Sequence, residues 1–475
     1  MSTAQEIYQK SLELFKEINQ IPRCSKHEEK IRAWIKEKAQ EYDLNFKEDE
    51  AGNIIIYIPA TVSKESTYDY VLQGHMDMVC NKKDDSRHDF SKDSIQTYIE
   101  DDWLKAKETT LGADNGIAIA IMLAIANSKV KHTGLELLFT VDEETGLTGA
   151  SKLEDNALRG KYLINIDSED EGVITIGCAG NIDAKIEKKY ASNSINNAGL
   201  KVIINGGKGG HSGVDIHQKI ANTNILMARL LKAISNKTTV QLSTITGGIA
   251  HNAIPTKTEA SFCVEDISQA KQIINEFSRV IGFEYKTSDP NLKITTEDIY
   301  INDALNAEDT VEVINTMLLV PHGILSMSND VEGLVETSNN FAVAKLNHGK
   351  LYLESMARSS INTQRDYVVT ILQSLSQMIK AKFKVSAFSS AWEPDTSSSL
   401  LKRAIEKYIK LNKKEPIVEA IHAGLECAVI GEKHKGMEMI SIGPTIKGAH
   451  TPEERLYLPS VKTTIEWILE IINTE

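Results

Sequence analysis

Val71-Leu72-Gln73-Gly74-His75-Met76-Asp77-Met78-Val79 is the stretch of sequence that decides the fold. The apolar segment from Tyr68 to Leu72 predicts a buried strand, which is followed by Gly74, His75 and Asp77. Because residues two apart in a strand point to the same side, we expect His75 and Asp77 to project together. Open α/β sheets bind their ligands at this end of their strands. The two side chains could be a metal ligand and its orienting carboxylate, or simply a polar surface pair.

Length and charge limit the classes of protein that the chain can belong to. Its 475 residues predict at least two domains. The net charge of −13, from 53 basic and 66 acidic residues, argues against nucleic acid or an anionic membrane as a partner. The first 20 residues lack the basic flank and apolar block of a signal peptide. We therefore expect a cytoplasmic protein.

The five cysteines are scattered, with no paired spacing. This pattern argues against a disulfide framework and against a cysteine-ligated zinc site, and it favours a reducing compartment. Any metal ion must then be held by His, Asp and Glu side chains.

The order of predicted strands and helices divides the chain into two domains. Residues 1–184 alternate strands with helices, which predicts an α/β domain with a mixed central sheet. Residues 185–391 follow a β-α-β-β-α-β order and then a second, similar run, which predicts an inserted α+β lid of doubled ferredoxin-like form. The second run could instead be an insertion. Alternation returns over residues 392–475, so we expect this segment to complete the first sheet.

Imidazoles and carboxylates follow several predicted strands and glycine-flanked loops of the first domain. They are His75 with Asp77, Asp114, Glu143 with Glu144, Asp167, and His450 in the returning segment. Each alone is more often solvated than functional. Two imidazoles and three of these carboxylates, without cysteine, suit two metal ions, zinc first and cobalt or manganese as substitutes. Two such ions can share a carboxylate and a water and can polarise a carbonyl.

The motifs around these residues carry a family resemblance that spans the chain. They are Gly74-His75-Met76-Asp77, Leu111-Gly112-Ala113-Asp114-Asn115-Gly116, Asp142-Glu143-Glu144-Thr145-Gly146, Asn165-Ile166-Asp167-Ser168-Glu169 and Gly448-Ala449-His450-Thr451-Pro452. They resemble the dinuclear zinc exopeptidases of the aminoacylase and carboxypeptidase G type. The segment from Glu419 to Cys427 is similar to the aminoacyl-histidine (Xaa-His) dipeptidase subgroup of that family.

The resemblance implies a role for each residue of the first domain. Asp114 would bridge two Zn²⁺ ions; His75 and Asp167 would complete the protein ligands of one ion, and Glu144 and His450 those of the other. Asp77 would orient His75, and Glu143 would be the general base. Glu143 and Glu144 are adjacent and could exchange roles. The family also implies a cis peptide bond after Asp114.

The resemblance implies substrate-binding residues as well. His211 and Asn252 would donate to the oxyanion, and Arg358 would bind a carboxylate unless it pairs with an acid of the lid. His422 and Gly424 belong to the subgroup's segment; His422 would contact substrate or be a structural hydrogen-bonding residue. A homodimer is the expected assembly, and the lid residues could act within one subunit or across the dimer.

The function that these expectations favour is hydrolysis of small peptides. The leading hypothesis is a dipeptidase that prefers Xaa-His, including β-Ala-His, through metal-bound hydroxide with Glu143 as general base and then acid. A broader dipeptidase, a tripeptidase or an aminoacylase-like amidohydrolase is the alternative, because the fold does not decide the pocket. A non-catalytic binding paralogue would be expected to lack part of the ligand set, and this chain retains all of it.

Overall fold

The computed structural model describes residues 3–62 and 68–473. Its helices are α1 (Thr3–Ile18), α2 (Glu29–Glu41), α3 (Ala113–Ala126), α4 (Glu143–Gly146), α5 (Thr148–Lys152), α6 (Thr223–Ser235), α7 (Ile267–Glu284), α8 (Ala307–Leu319), α9 (Asn362–Met378), α10 (Ser399–Asn412), α11 (Glu426–Lys433) and α12 (Leu458–Ile472). Its strands are β1 (Asn45–Glu48), β2 (Ile54–Ile58), β3 (Tyr68–His75), β4 (Thr97–Glu100), β5 (Trp103–Ala106), β6 (Gly134–Thr140), β7 (Tyr162–Asn165), β8 (Val173–Cys178), β9 (Gly180–Lys189), β10 (Asn193–Asn205), β11 (Val240–Gly247), β12 (Thr258–Val264), β13 (Lys293–Ala304), β14 (Gly323–Met327), β15 (Val335–Asn347), β16 (Lys350–Ser359), β17 (Lys382–Ser389), β18 (Ile417–Ile421), β19 (Glu438–Ser441), β20 (Ile446–Lys447) and β21 (Arg455–Tyr457).

The chain forms two compact units. The first comprises Met1–Cys178, Pro394–Ala420 and Leu425–Glu475, and the second comprises Ala179–Glu393 and Ile421–Gly424. The short segment 421–424, which the sequence interpretation assigns to the first domain, therefore belongs to the second unit. Across the described ranges, no helix combines the length and apolarity that crossing a bilayer requires.

A mixed eight-stranded sheet forms the centre of the first unit, with the order β1-β2-β6-β3-β7-β19-β8-β18. Its central strands β6, β3, β7 and β19 run parallel, and β1, β2 and β6 pair antiparallel. Parallel strands are covered on both faces, which explains the continuous apolar runs in β3 and β6. Helix α3 is buried from Ile117 to Ile125 and belongs to the same core.

The parallel strands bring their carboxyl ends to one edge of this sheet. Strand β3 ends at His75, beyond the predicted end at Leu72, and its neighbour β6 ends shortly before Glu143 and Glu144. Strand β7, on the other side of β3, ends just before Asp167. The register of the sheet therefore gathers these polar residues at a single edge, as expected for an open α/β sheet.

The second unit is built on one nine-stranded antiparallel sheet, with the order β13-β10-β12-β11-β15-β16-β9-β17 and with β14 paired to β15. One half is β10-α6-β11-β12-α7-β13 and the other is β9-α8-β15-β16-α9-β17. Both halves follow the β-α-β-β-α-β order of a ferredoxin-like unit and join where β11 pairs with β15. The strand β9, which opens the second half, precedes the whole first half in the chain, so the order of elements along the sequence does not reveal it as part of the repeat.

Cys24 and Cys80 form a disulfide bond, and this corrects the prediction drawn from cysteine spacing. The two segments lie side by side because Cys24 and Met78 form a parallel bridge. The guanidinium of Arg23 also donates to the backbone carbonyls of Met76 and Asp77. The pairing joins residues 56 apart in the chain, so no local spacing indicated it. Cys178, Cys263 and Cys427 are buried and take no part in a disulfide bond.

Candidate metal centre

Two groups of side chains in the first unit share a single carboxylate, that of Asp114. In one group, His75 Nε2 lies 3.0 Å from Asp114 Oδ1 and 3.4 Å from Asp167 Oδ1. In the other, His450 Nε2 lies 3.0 Å from Asp114 Oδ2 and 3.1 Å from Glu144 Oε2. Each oxygen of Asp114 thus belongs to a different group. All five residues that the resemblance implies as metal ligands are brought together.

The spacing of these atoms fits metal ions. A tetrahedral zinc ion with bonds of about 2.0–2.1 Å holds neighbouring ligand atoms roughly 3.3 Å apart, close to the separations in both groups. The atoms of each group lie within 4.8 Å of one another. Glu144 Oε1 is buried and has no hydrogen-bond partner, so this carboxylate has a lone acceptor that a cation could use. The donor set of imidazole and carboxylate is one that zinc accepts.

The cluster carries an excess of negative charge that raises the pKa values of its imidazoles. Burial would lower the pKa of His75, but the charge of Asp167 and hydrogen bonds with Asp114 and Asp167 raise it well above its ordinary value. Hydrogen bonds with Asp114 and Glu144 raise the pKa of His450 to about 11. Burial raises the pKa of Asp167 to about 6. The negative charge of the three carboxylates that converge here therefore favours protonated imidazoles. Divalent cations would compensate the same negative charge.

Asp77 connects one imidazole to the segment that carries Glu143 and Glu144. Its Oδ1 lies 3.3 Å from His75 Nδ1 and accepts the backbone N–H of Glu143 at 3.0 Å. Its Oδ2 accepts the backbone N–H of Glu144 at 3.2 Å. Burial would raise the pKa of Asp77, but the hydrogen bond with His75 lowers it to about 2. The charged carboxylate can thus orient the ring of His75, as the outer partner of a metal ligand does.

Glu143 and Glu144 differ in their surroundings although they are adjacent. The carboxylate of Glu144 is grouped with Asp114 and His450, whereas Glu143 is grouped only with His75 and Glu144. Burial raises the pKa of Glu143 well above its ordinary value, and the charge of Asp167 acts in the same direction. Glu144, rather than Glu143, therefore lies beside both Asp114 and His450.

The segment around Asp114 is held by its neighbour Asn115. The peptide bond between them is cis, as the resemblance implies. The amide of Asn115 donates to the carbonyl of Ile166 at 2.7 Å, and its oxygen accepts the N–H of His75 at 3.2 Å. A Cβ at Gly74 would lie 2.4 Å from that same oxygen, so the position requires glycine. Asn115 therefore ties the end of β3 to the segment before Asp167.

Two buried carboxylates near the cluster were not identified from the sequence. Glu426, at the start of α11, accepts hydrogen bonds from Gln73 Nε2 at 2.6 Å and Thr140 Oγ1 at 2.7 Å. Glu454 accepts backbone N–H groups of the segment that carries Asp114. Glu426 lies within the segment from Glu419 to Cys427, and Glu454 lies just after the motif that ends at Pro452. This position in the sequence was the only signal for either residue. Their burial and partners come from the tertiary structure.

Three of the expected substrate-binding residues lie together in the second unit. Burial lowers the pKa of His211 and His422, and the charge of Arg358 acts in the same direction on both. A Cβ at Gly213 would lie 3.3 Å from Arg358 Nε and 2.2 Å from the carbonyl oxygen of His422. Arg358 is 5% exposed. Its guanidinium donates to Ser212 Oγ at 3.4 Å, and no ion pair to it is found among the described residues. Burial lowers the pKa of Arg358 to about 10.

The remaining residues of this group differ in exposure and contacts. His422 Nε2 lies 2.7 Å from Ser338 Oγ, whereas its buried Nδ1 has no partner, and burial lowers the pKa of this imidazole to about 3. Asn252 is exposed, and its backbone carbonyl accepts the N–H of Ser212 at 2.8 Å. Gly424 is exposed with open space beside its Cα. His422 thus has both a structural hydrogen bond and a free acceptor or donor.

A sheet edge that gathers two imidazoles and several carboxylates around one shared aspartate defines a metal-dependent hydrolase site. Residues 71–474 match the peptidase family M20/M25/M40, and the chain belongs to this metallopeptidase family. The family resemblance drawn from the sequence motifs is therefore confirmed.

The relatives extend over nearly the whole chain. The cytosol non-specific dipeptidase of Escherichia coli K12 is 38% identical over 457 residues, which are 94% of each chain. The crystal structure of aminoacylhistidine dipeptidase from Vibrio alginolyticus is 34% identical, covers 98% of this chain and 96% of its own, and superposes with a TM-score of 0.91. Aminopeptidase PepT from Bacillus cereus, at 17% identity and a TM-score of 0.57 with 98% of both chains covered, shares the fold.

Proposed function

We propose that this peptidase is a dinuclear zinc dipeptidase that prefers Xaa-His dipeptides, including β-Ala-His. The observation that carries the proposal is the carboxylate of Asp114, whose two oxygens each lie 3.0 Å from a different imidazole. A carboxylate placed in this way can be shared between two metal ions. Dipeptide hydrolysis is supported by the names of two relatives that align along almost the full chain.

The two groups of side chains support the following assignment of ligands. His75 and Asp167 would hold one ion, Glu144 and His450 the other, and Asp114 both. Zn²⁺ ions bound there, or Co²⁺ and Mn²⁺ as substitutes, would supply Lewis-acid polarisation of the scissile carbonyl and lower the pKa of a water. Asp77 would keep His75 in the tautomer that presents Nε2 to the ion.

Glu143 is the proposed general base and acid. Its carboxylate would take a proton from the attacking water, and the resulting carboxyl group would deliver it to the leaving amine. Burial raises its pKa above the ordinary value of a carboxyl group, which brings its proton affinity closer to that required for a proton carried in both directions.

Residues of the second unit are proposed to bind the substrate. Arg358 is buried without a carboxylate partner among the described residues, and an unpaired buried guanidinium is costly unless an anion completes it. The carboxylate of a dipeptide is such an anion. His211 and Asn252 would donate to the developing oxyanion. His422, with its unpartnered Nδ1, and Gly424 would line the pocket for the carboxyl-side residue.

The preference for histidine is the finer part of the proposal. It is supported by the Vibrio relative, described as an aminoacylhistidine dipeptidase. The Escherichia coli relative is described as non-specific, which makes a broader dipeptidase the second candidate.

Metal removal and a substrate panel test the proposal. We would strip the purified protein with a chelator, restore Zn²⁺, and follow hydrolysis of β-Ala-His, Gly-His, Leu-Leu and a tripeptide. Zinc-dependent cleavage with the histidine dipeptides preferred is the expected result. Equal rates on Leu-Leu would remove the histidine preference and leave the broader dipeptidase. No cleavage of any peptide by protein with two bound metals would contradict the activity itself.

The general-base assignment is tested by Glu143→Gln, which keeps the size of the side chain. We expect kcat to fall by roughly 10²–10⁴-fold while two zinc ions per chain remain bound. A variant that retains kcat, or one that loses a metal ion instead, would show that Glu143 is not the proton carrier.

Assembly and location complete the proposal. A homodimer would give a mass of about 105 kDa by light scattering, twice the 52.6 kDa of one chain. A cytoplasmic location is supported by the name of the Escherichia coli relative, although disulfides such as Cys24–Cys80 are uncommon in that compartment. Fractionation of cells with an antibody to the protein tests the location.

A further inference from the structure

We propose that Glu454 is a positioning residue that holds the Asp114 segment in its ligating conformation before any metal binds. Its carboxylate accepts four consecutive backbone N–H groups. Oε2 accepts those of Leu111 at 2.8 Å and Gly112 at 3.0 Å. Oε1 accepts those of Ala113 at 2.8 Å and Asp114 at 3.2 Å. The inference rests on the proposed metal centre, because its consequence is the placement of the shared ligand.

The number and burial of these bonds make Glu454 a strong constraint. The residue is 2% exposed, so water does not compete for the four donors. Hydrogen bonds to a charged acceptor are stronger than neutral ones, and a buried N–H that loses its partner costs free energy. Four donors that converge on one carboxylate fix the path of the backbone up to Asp114 itself. The carboxylate of Asp114 then leaves the backbone from a defined point.

Glu454 also belongs to the same loop as His450. The N–H of Glu454 bonds to the carbonyl of Thr451, and the N–H of Thr451 bonds to that of Gly448, so the loop is internally braced. One side chain therefore connects the loop of one imidazole ligand to the segment of the shared aspartate. Displacement of this carboxylate would change the distance between His450 and Asp114.

A buried guanidinium, that of Arg23, donates to a backbone carbonyl of the same segment. Arg23 donates to the carbonyl of Gly112 and to those of Met76 and Asp77, next to His75. Glu454 thus satisfies the N–H groups while Arg23 satisfies a carbonyl, and the segment is held from both sides. This bracing of protein ligands by buried outer groups is the arrangement that tunes metal affinity in other proteins.

The first test compares Glu454→Gln with a matched control, Glu136→Gln. Glu136 is also a buried carboxylate that accepts two backbone N–H groups, those of Arg159 and Gly160, but it lies at the start of β6, and they lie before the start of β7, away from the ends that lead to the proposed ligands. In Glu454→Gln the amide NH₂ must face two backbone donors, because each oxygen of Glu454 accepts two N–H groups. In Glu136→Gln the NH₂ can replace Oε1, which has no partner, while the remaining oxygen keeps both N–H groups, so this variant controls for loss of a buried charge. Zn²⁺ affinity would be measured by competition with a chromophoric chelator, and the Co²⁺ absorption spectrum would report ligand geometry.

We expect Glu454→Gln to weaken metal binding by roughly 10–100-fold and to alter the Co²⁺ spectrum, while Glu136→Gln leaves both unchanged. Equal affinity in Glu454→Gln and the wild type would overturn the inference, as would equal losses in both variants. A wild-type protein that binds no metal would instead overturn the proposed function, so the two failures are distinguishable.

A second measurement uses the metal-free wild type and does not depend on the folding of a variant. Hydrogen–deuterium exchange of peptides that cover residues 111–114 reports whether the four N–H groups are bonded without metal. We expect these amides to be protected in the metal-free protein and to change little when Zn²⁺ is added. Exchange at the rate of an open loop until Zn²⁺ is added would mean that the metal, not Glu454, orders the segment.

Discussion

The substitution Asp77→Asn tests how much of the metal affinity comes from a side chain that is not itself a ligand. The carboxylate of Asp77 accepts the backbone N–H groups of Glu143 and Glu144, one on each oxygen, and its Oδ1 lies 3.3 Å from His75 Nδ1. Asparagine has one acceptor oxygen. Its NH₂ group must therefore face at least one of these donors, and the negative charge beside His75 is lost.

The expected loss follows from this count. At least one hydrogen bond to a charged group disappears, which is worth about 1.5–3 kcal/mol, or roughly 10–150-fold in metal affinity. Asp142→Asn is the control because Asp142 is also buried and its carboxylate accepts the hydroxyls of Thr145 and Thr148. Hydroxyl groups can rotate to accept from the new NH₂, whereas backbone N–H groups cannot, so this control should bind metal within about threefold of the wild type.

Calorimetric or chelator-competition titration with Zn²⁺ measures the affinities, and kcat/KM for Gly-His should fall in the same order. Wild-type affinity in Asp77→Asn would refute the view that Asp77 orients His75. A comparable loss in Asp142→Asn would attribute the effect to general damage at this edge of the sheet.

Three further predictions concern other parts of the molecule. Arg358→Met should raise KM for dipeptides by roughly 10–150-fold, with a smaller change in kcat, because a charged hydrogen bond to the substrate carboxylate is lost; an unchanged KM would exclude that role. Burial lowers the pKa of His322 to about 4, so the unfolded chain, with an ordinary value near 6.5, binds the proton first as the pH falls. The contribution of neutral His322 to the free energy of unfolding is complete above that ordinary value and is lost towards pH 4. Between pH 7 and 5, the free energy of unfolding measured in urea should fall by about 2 kcal/mol more in the wild type than in His322→Asn. Parallel profiles of the two proteins would contradict this. Denatured, unreduced protein should titrate with three thiols, those of Cys178, Cys263 and Cys427, and five titratable thiols would mean that Cys24 and Cys80 are unpaired in solution.

Local patterns were sufficient to predict where the polar residues of the first unit lie. The apolar run into His75 and the run before Glu143 and Glu144 predicted buried strands, and both strands are present. Parallel strands place their carboxyl ends at one edge, so the proximity of His75, Glu144 and Asp167 followed from the fold class. The strand before His75 is longer than predicted because Gln73 remains paired with β6 and β7, and Gly74 and His75 remain paired with β6. Pairing with neighbouring strands outweighed the local glycine signal.

The organisation of the second unit was less accessible. The doubled order of strands and helices was recognised, but β9 pairs with β16 and β17, strands that follow it by well over a hundred residues. A strand of this kind carries no mark of the partner it will have. The same holds for residues 421–424, which join the second unit although the segments on both sides of them belong to the first.

The sequence by itself determined the kinds of group available for chemistry, their place at strand ends, and the family to which the chain belongs. These properties are local: hydrophobic period, glycine punctuation and short motifs survive in the order of residues. Only the tertiary structure decided that Cys24 pairs with Cys80, that Arg23 reaches three carbonyls, and that Glu454 gathers four N–H groups. Such contacts join residues between about 50 and 340 positions apart, where the partner of a buried charge or thiol is selected by packing and hydrogen-bond geometry rather than by spacing along the chain.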